Sequence, residues 1–392
     1  MTVAGIMSGT SADGIDVAIV RIRPRTARLQ PDAGPGVQLD LLHHTAVPFS
    51  RALRQAVLTA AGTGPTSTAD LARLHWRLGL AYAEAAQAAV QASSASLDLV
   101  GCHGQTVYHQ GRPQRTLGRS FACTWQIGEV APLARVLAVP VVSNFRPADM
   151  ACGGHGAPLV PLLDYALYRH PTRVRVLQNL GGIGNLTLVP ARATLSDVRA
   201  FDTGPGNMLI DALTQQLYGR AYDRDGRLAA RGKILPAAVR RALGSPFFLK
   251  PPPKSAGREE FGRTFAAAFL AHCQQFSADP ADAIASATAL TVESIGLAFR
   301  TFVRPFIPNE PVDYLVAGGG AKNPTLLTML RGALEPLGCK VSTTAASALP
   351  VDAKEAAAFA LLAYQTWHHR PGNVPSATGA DRPAILGQVS YA

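Results

Sequence analysis

Cysteine and charged residues are scarce in this sequence. Only five cysteines occur in 392 residues, and no two of them have C-x-x-C spacing: Cys102, Cys123, Cys152, Cys273 and Cys339. An odd, scattered set argues against a zinc site or a disulfide framework and is typical of a reducing compartment. Charged residues make up 16% of the chain and apolar residues 47%, the balance of a folded protein and not of a disordered one.

Long hydrophobic runs are also missing. No uninterrupted stretch of about 18 apolar residues occurs, which argues against a transmembrane helix. The N-terminus opens directly into a strand pattern without the features of a signal peptide, so we expect a cytoplasmic protein. Acidic residues number 26 against 37 lysines and arginines, a formal charge of +11. Because the arginines are dispersed and no nucleic-acid-binding motif accompanies them, this charge favours anionic small molecules such as ATP over nucleic acid.

Apolar strand patterns alternate with helical patterns along the chain, which predicts an α/β protein. A chain of this length is too long for one compact core, so we expect two domains. Beyond the first 20 residues, strands are predicted at 37–42, 97–102, 136–142, 174–179, 185–189, 200–203 and 314–316. Helices are predicted at 51–61, 67–93, 208–218, 281–302, 323–337 and 351–366. The basic segment 111–120 is predicted to be a surface loop.

Two glycine-rich strand–turn–strand segments occur, at residues 6–20 and 176–189. The first contains MSGTSADG, although Asp13-Gly14 alone would suffice to turn a hairpin. A longer tip of glycines and small hydroxyls, with two carboxylates nearby, can bind phosphate through backbone N–H groups and can hold a metal ion. The recurrence of this device predicts a duplicated fold with a cleft between its halves.

Two later glycine-rich loops follow predicted strands and precede predicted helices. Segment 201–207 (FDTGPGN) places Asp202 at a strand end, where N–H groups and the dipole of the next helix suit an anion. Segment 316–324 (VAGGGAKNP) has three successive glycines, which let a bulky ligand approach the backbone. Neither has the spacing of a P-loop or of a Rossmann dinucleotide site. Together the loops favour a nucleotide-binding enzyme.

Eight ordered motifs make the resemblance to a known family specific. They are GIMSGTSADGIDVAIV, GCHGQTVYH, QIGE, FRPADMACGGHGAPLVP, NLGGIGNLT, FDTGPGNMLID, PPKSAGREEF and AGGGAKNP. In this order, and over essentially the whole chain, the sequence resembles the anhydro-N-acetylmuramic acid kinase family. The resemblance implies the two-domain actin-like ATPase (sugar kinase) fold, with duplicated mixed β-sheet domains, flanking helices and a cleft. We expect domain I at 1–138 plus 352–392, and domain II at 139–351.

The resemblance also implies a double reaction on a small sugar. Water opens the 1,6-anhydro ring of anhydro-N-acetylmuramic acid at C1 while O6 takes the γ-phosphate of ATP, in the recycling of cell-wall peptidoglycan. It implies ATP and Mg²⁺ as cofactors, a homodimer, and neither nucleic acid nor membrane as partner. Two rivals remain open: a kinase of a different sugar on the same fold, and an actin- or chaperone-like ATPase.

Site residues follow from the motif matches. Asp202 is expected to be the base that activates water. The expected nucleotide-binding residues are Gly9, Thr10, Ser11, Asp13, Gly14, Asp16, Gly204, Gly206, Gly318, Gly319, Gly320 and Asn323. Asp13 or Asp16 is expected to reach the metal, directly or through water. The expected sugar-binding residues are His103, Gln105, Arg146, Asp149 and Glu355.

Structural alternatives stand beside these roles. Asp202 can cap the following helix through residue 203 or 204, and Asp16 can be a strand-end carboxylate that faces solvent. His103 can be a core histidine whose hydrogen bonds are satisfied. Arg146 and Asp149 can form an ion pair with each other.

Glu355 has its own structural alternative, and two of the departures from the family bear on candidate contacts. Glu355 can belong to the exposed first turn of the last helix. His155 stands where family members usually have glutamine, which either adds pH dependence or replaces the hydrogen bonds of an amide. Glu129 stands where aspartate is usual, so its contact is open.

Overall fold

The chain folds into two compact units in a computed structural model that describes residues 1–9, 11–24, 36–62, 65–343 and 349–392. The first unit comprises Met1–Leu167, Thr194–Ser196 and Ser347–Ala392, and the second comprises Tyr168–Ala193 and Asp197–Ala346. Each unit has a mixed sheet with helices packed on it. The α/β class and the two-domain organisation are therefore confirmed.

The strands are β1 (Thr2–Ser8), β2 (Gly14–Pro24), β3 (Val37–Pro48), β4 (Leu99–Thr116), β5 (Arg119–Ile127), β6 (Val141–Ser143), β7 (Val174–Leu180), β8 (Gly184–Val189), β9 (Arg199–Gly204), β10 (Val312–Ala317), β11 (Cys339–Thr343) and β12 (Gln388–Ser390). The longest strands, β2 to β5, are in the first unit. The helices are α1 (Arg51–Ala60), α2 (Thr68–Ser93), α3 (Ala131–Leu137), α4 (Arg146–Ala151), α5 (Pro161–Tyr168), α6 (Met208–Tyr218), α7 (Arg227–Arg231), α8 (Pro236–Leu243), α9 (Pro246–Leu249), α10 (Arg258–Phe261), α11 (Arg263–Cys273), α12 (Pro280–Ala298), α13 (Pro324–Leu334), α14 (Lys354–Trp367) and α15 (Pro375–Thr378).

The two sheets share one topology. In the first unit the order is β3-β2-β1-β4-β6, followed by β12, and in the second it is β9-β8-β7-β10-β11. In both, the first three strands in chain order form an antiparallel meander. Two further strands extend each sheet in parallel from the meander's first strand, β4 and then β6 in the first unit and β10 and then β11 in the second. The first unit has in addition β5, which pairs antiparallel with β4. The glycine-rich hairpins β1–β2 and β7–β8 occupy equivalent places. The predicted duplication is thus confirmed by strand order and direction.

Two local predictions were wrong. Residues 136–142, predicted as one strand, form the end of α3 and the beginning of the short β6. Residues 111–120, predicted as a loop, continue the β4–β5 hairpin, in which Thr116 pairs with Arg119. Leu117 and Gly118 have φ values of 49° and 78°, the positive pair that a two-residue hairpin turn requires. Leucine is an unusual residue there, which is why the turn left no signal in the sequence.

The boundary between the units differs from the predicted position at residue 139. Segment 139–167 belongs to the first unit, because β6 pairs with β4 through Val100–Val141 and Gly101–Val142. The C-terminal segment also belongs to that unit, where α14 packs on β1 and β4. This return of the chain agrees with the expectation for 352–392.

Helix α14 lies unusually close to the sheet of the first unit. A Cβ atom built on Gly5 of β1 would lie 1.8 Å from the carbonyl oxygen of Ala356, and one built on Gly101 of β4 would lie 2.2 Å from that of Phe359. Both positions must therefore lack a side chain, because the obstructing atoms belong to the helix backbone.

We expect Gly5→Ala to destabilise the protein by about 1–3 kcal/mol, because the added methyl group must push α14 away from β1. Chemical denaturation followed by circular dichroism measures this change. Gly332→Ala on α13 is the control, since a Cβ there meets nothing within 4 Å. Alanine in a helix interior is expected to stabilise by up to about 1 kcal/mol. Equal stabilities of the two variants would contradict the close packing.

Helix α12 forms the centre of the second unit. Together with the turns that follow it, segment Pro280–Phe306 is long and apolar enough by composition to cross a membrane, with a mean hydropathy of 1.2 in its best window. However, 89% of that window is buried within the protein, and residues such as Ile284, Leu290 and Ile295 belong to the hydrophobic core. Its apolar character is therefore explained by its place in the core.

Candidate active site

The tip of the β1–β2 hairpin is held by buried polar side chains. The Ser8 hydroxyl lies 2.8 Å from the hydroxyl of Tyr82, and Gln105 Nε2 donates to the carbonyl oxygen of Gly9 at 3.1 Å. The amide of Ala12, which has a φ of 54°, also donates to Gly9 O at 3.1 Å. The tip is thus a compact turn. Thr10 lies outside the described residues.

Two carboxylates flank this tip in different environments. Asp13 is exposed and lies 3.4 Å from Arg54. Asp16, on β2, accepts from His44 Nε2 at 3.2 Å, and its pKa is raised mainly by burial, with a contribution from the like charge of Asp352. Gly14 pairs with the end of β3, where its Cβ would lie 2.4 Å from Val47 O.

His103 and Arg146 form a pair. The imidazole is 2% exposed, with Nδ1 2.8 Å from the carbonyl oxygen of Gly104 and Nε2 accepting from Arg146 Nε at 3.0 Å. This arrangement assigns the neutral tautomer with hydrogen on Nδ1. The pKa of His103 is held well below its usual value, first by burial and then by the guanidinium. Arg146 Nη1 also donates to Gly156 O at 2.7 Å, and burial lowers the pKa of Arg146 to about 10.

Asp149 is fully buried and makes its bonds within the protein. Oδ2 accepts from the amide of Gly156 at 2.8 Å, while Oδ1 accepts from Asn373 Nδ2 at 2.8 Å and from Thr378 Oγ1 at 2.7 Å. It joins α4, the loop at 152–156 and the C-terminal segment. It makes no ion pair with Arg146 within 4.0 Å in the described part of the chain.

Glu355 is solvent-accessible on α14, but protein surrounds its carboxyl group closely. Desolvation raises its pKa, the charge of Arg146 opposes this rise, and Asp16 adds to it. The neighbouring Lys354 binds Asp164 at 2.6 Å and is directed to another partner. Glu355, Asp16 and Arg146 therefore form one electrostatically coupled group in the first unit.

A polar cavity of about 320 Å³ opens beside His103 in the first unit. Its walls come from α2, β4, the ends of β5 and β6, β12 and the loop before α3, and they include Trp125, Gln126, Glu129 and Asn144. Gln126 Oε1 is buried without a hydrogen-bond partner among the described residues, and Trp125 is 50% exposed. Glu129 accepts from Ala131 N at 3.0 Å and lies 3.3 Å from His75 Nε2.

Sequence reasoning did not single out these four cavity residues as ligands. The motifs QIGE and CHGQT contained the signal, since the end of β5 pairs with this part of β4, Gln105 with Ile127 and Thr106 with Gln126. His155 does not line the cavity. Its pKa is lowered, first by burial and then by Arg112.

Asp202 lies near the end of β9 in the second unit. Its amide donates to Lys254 O at 3.1 Å, and its Oδ2 accepts from the amide of Ala256 at 2.7 Å. Burial raises its pKa to about 7; the bond from Ala256 and the charge of Lys254 oppose this, and Glu259 adds to it. Asp202 does not cap the next helix, because α6 begins at Met208 with residue 207 at its N-cap.

A buried amide network supports this strand end. Gln178 Oε1 accepts from the hydroxyl of Tyr314 at 2.9 Å, and its Nε2 lies 3.2 Å from Thr203 Oγ1 and 3.0 Å from Asn185 O. Gln178 and Tyr314 are fully buried. Strands β7, β8, β9 and β10 are thus tied together beside Asp202.

The start of α6 is pressed against the β7–β8 hairpin. The amides of Asn207 and Met208 donate to Gly181 O and Gly182 O at 2.8 and 2.9 Å. Gly206 has a φ of 51°, and a Cβ there would lie 2.5 Å from Gly181 O. These two helix-start amides are therefore already paired, so the anion site expected at this helix start has fewer donors than the sequence suggested.

The loop at Gly318–Gly320 adjoins the same hairpin. Gly318 has a φ of 86°, and a Cβ there would lie 2.6 Å from Asn179 Oδ1. A Cβ on Gly320 would lie 2.7 Å from Leu180 Cβ, and Gly319 opens the short turn that follows. Asn323 caps α13 by accepting from Leu326 N at 3.0 Å. Three glycine-rich loops of the second unit are thus assembled together.

Within the ranges the structure describes, no group of three or more histidine, cysteine, aspartate or glutamate side chains is placed to hold a metal ion. Asp13 and Asp16 therefore do not complete a site from protein ligands. Asp16 nevertheless lies close enough to Asp352 and to Glu355 for their charges to interact. A cation bound there would be stabilised by this negative charge.

The repeated sheet with a glycine-rich hairpin in each copy defines the class, a duplicated α/β protein of two units. The family model for anhydro-N-acetylmuramic acid kinase matches residues 1–392. A Bacillus cereus (strain AH187) protein of that description is 40% identical over 394 residues, covering 100% of this chain and 99% of the relative. One from Bacillus anthracis (strain A0248) is 39% identical over 396 residues with the same coverage. The chain belongs to the anhydro-N-acetylmuramic acid kinase family.

Two solved structures are distant likenesses of this chain. Component A of the (R)-2-hydroxyglutaryl-CoA dehydratase of Acidaminococcus fermentans has a TM-score of 0.42 at 14% identity, covering 93% of this chain and 98% of that one. A ROK family glucokinase from Streptomyces griseus has a TM-score of 0.38 at 13% identity, covering 93% and 100%. Scores this low add nothing to the assignment, which rests on the family and its sequence relatives.

Proposed function

We propose that this chain is an ATP-dependent anhydro-N-acetylmuramic acid kinase of peptidoglycan recycling. It hydrolyses the 1,6-anhydro ring and phosphorylates O6, giving N-acetylmuramic acid 6-phosphate and ADP. Family membership over the full length supports the activity. The observation that carries the mechanism is Asp202, a partly buried carboxylate with a pKa of about 7. A base with a pKa near the working pH is suited to proton transfer.

Asp202 acts as the general base. Its Oδ2 is oriented by the amide of Ala256, and its Oδ1 has no hydrogen-bond partner among the described residues, so Oδ1 takes the proton of the attacking water. The water oxygen bonds to C1 of the sugar, and the C1–O6 bond breaks. The electron pair released on O6 attacks the γ-phosphorus, and ADP leaves with the pair of the broken P–O bond.

The sugar binds in the first unit. We assign the cavity beside His103 to it, with contacts from Gln105 and Glu355 at its margin. Arg146 uses Nε and Nη1 within the protein, which leaves Nη2 to pair with the lactyl carboxylate. Asp149 fixes the position of α4 and does not contact the sugar, because both of its carboxylate oxygens already accept hydrogen bonds within the protein.

We assign the nucleotide to the glycine-rich loops. In the first unit these are residues 9–11 with Gly14, including Thr10; in the second they are Gly204, Gly206 and the 318–320 loop with Asn323. Asp13 or Asp16 would hold Mg²⁺, directly or through water. When bound, Mg²⁺ neutralises phosphate charge. The protein is a cytoplasmic homodimer that takes neither nucleic acid nor a membrane as partner, and sedimentation at micromolar concentration tests the dimer.

Coupled ADP release with the anhydro sugar, ATP and Mg²⁺, followed by mass analysis, tests the function. A product heavier by one phosphate and one water, labelled at C1 in H₂¹⁸O, supports the double reaction. Gain of phosphate alone would mean an ordinary sugar kinase. ADP release that does not depend on sugar would instead favour an ATPase of the actin or chaperone kind.

Gln126→Leu tests the sugar cavity. Removing an amide whose Oε1 is buried and free is expected to raise the KM for the sugar by about tenfold or more while the KM for ATP stays unchanged. Steady-state kinetics with each substrate varied measure the effect. Gln114→Leu, on the exposed part of the same hairpin, is the control. An unchanged sugar KM in the Gln126 variant would remove this cavity from the binding site.

A further inference from the structure

Lys254 is a buried cation outside the residues assigned so far. It is 4% exposed, and its Nζ donates to Phe247 O at 3.1 Å and to Phe248 O at 3.2 Å. The rings of Phe302 and Phe247 lie 4.6 and 4.8 Å from Nζ, and that of Phe201 lies 5.8 Å away. No carboxylate lies within 4.0 Å of it in the described ranges. The ammonium group is therefore fixed in place without a direct counter-ion.

The same short segment holds Asp202. Lys254 O accepts the amide of Asp202, and two residues later the amide of Ala256 donates to its carboxylate. Phe201, whose ring faces the ammonium group, precedes Asp202 in β9. The cation and the carboxylate are thus fixed to each other through one loop.

We propose that Lys254 is a positioning residue, whose buried ammonium fixes segment 254–256 against Asp202 and presents a positive charge to its carboxylate. This inference rests on the proposed role of Asp202 as the base. A purely structural lysine has little rationale here, because burying a cation costs free energy and a methionine would fill the same aromatic pocket. The positive charge becomes useful if the neighbouring carboxylate must be ionised to work.

The charges that act on Asp202 give the direction of the effect. Lys254 lowers the pKa of Asp202, and Glu259 on α10 raises it. Asp202 in turn raises the pKa of Lys254, although burial brings that pKa down to about 8. Because the base must be ionised, activity falls as the pH drops below the pKa of Asp202. Removing the lysine charge therefore moves the acidic limb of the pH profile upward.

The test is the pH profile of kcat/KM for the sugar in the full-length enzyme. The wild type is expected to lose activity below about pH 7, the pKa of Asp202. Lys254→Met is expected to move this limb upward by about half a unit to one unit and to lower the rate at pH 7 several-fold. Lys254→Arg, which keeps the charge, is expected to return the limb close to the wild-type position. Glu259→Gln is expected to move it downward.

Controls separate this proposal from structural damage and from failure of the function. Lys250→Met removes a charge from the same loop and is expected to leave the limb unchanged. Lys254→Gln keeps N–H donors for the two carbonyls and decides the question if the methionine variant does not fold. A folded neutral variant with a wild-type limb would overturn the proposal even if its melting temperature is lower. Full activity of Asp202→Asn would instead overturn the base assignment.

Discussion

Replacing Asp202 by asparagine is expected to abolish sugar phosphorylation while leaving ATP binding intact. Asparagine keeps the size of the side chain and an oxygen that can accept the amide of Ala256. It loses the ability to take a proton from water, a loss of about 10²–10⁴-fold in kcat. The affinity for ATP is expected to stay within about twofold, because the glycines of the nucleotide loops and the backbone around residue 202 are unchanged. Sugar-dependent ADP release and calorimetric titration of ATP measure the two quantities.

A matched control for this variant lies in the same unit. Asp211 on α6 is also partly buried, and burial together with the charge of Asp223 raises its pKa to about 6. Asp211→Asn removes a comparable carboxylate without touching the loop that orients Asp202, so its kcat should stay close to that of the wild type. Retention of more than a few per cent of activity by Asp202→Asn would end its role as the base.

Replacing Asp149 by asparagine is expected to have the largest effect on stability. The carboxylate accepts three hydrogen bonds with none of its surface exposed. In either orientation, the new amide group faces the donor of at least one of these bonds. With about 1.5–3 kcal/mol for each hydrogen bond to a charged group, we expect a loss of about 3–4 kcal/mol in the free energy of unfolding.

Denaturant titration measures this loss, and sugar kinetics distinguish the two interpretations of Asp149. Asp381→Asn, an exposed aspartate whose backbone amide bonds to Cys152, is the control and should keep wild-type stability. If Asp149→Asn were as stable as the wild type but had a raised KM for the sugar, Asp149 would contact substrate, as the motif alone suggested.

The helices and strands that could be predicted are those marked by a pattern within their own residues. Helix α6 was predicted at 208–218, where it is found, because an apolar periodicity begins after one glycine-rich loop and ends at Gly219. The β1–β2 and β7–β8 hairpins carry their own glycines. By contrast, residues 136–142 form a continuous apolar run, which does not distinguish a helix end from a buried strand.

The residues of the candidate site also fall into those that local sequence predicts and those that only the tertiary structure brings together. Asp202 could be singled out because it ends a strand within a recognisable loop, but its partner Ala256 lies 54 residues further along the chain. The bond from Arg146 to His103 spans 43 residues, and those from Asp149 to the C-terminal segment span more than 220. Nothing in the local sequence encodes which distant donor satisfies a buried acceptor. The cavity residues of β5 were missed for the same reason, since tertiary pairing alone brings Gln126 beside His103.

The close approach of α14 to the sheet restricts how this chain can change during evolution. When two side chains clash, a second mutation that shortens the partner can restore the fit. At Gly5 and Gly101 the obstacle is a main-chain carbonyl, which every amino acid supplies equally. No single compensatory substitution opposite them can make room, so only a shift of the whole helix would rescue a larger residue. Exhaustive mutagenesis should therefore find these two positions intolerant in every genetic background.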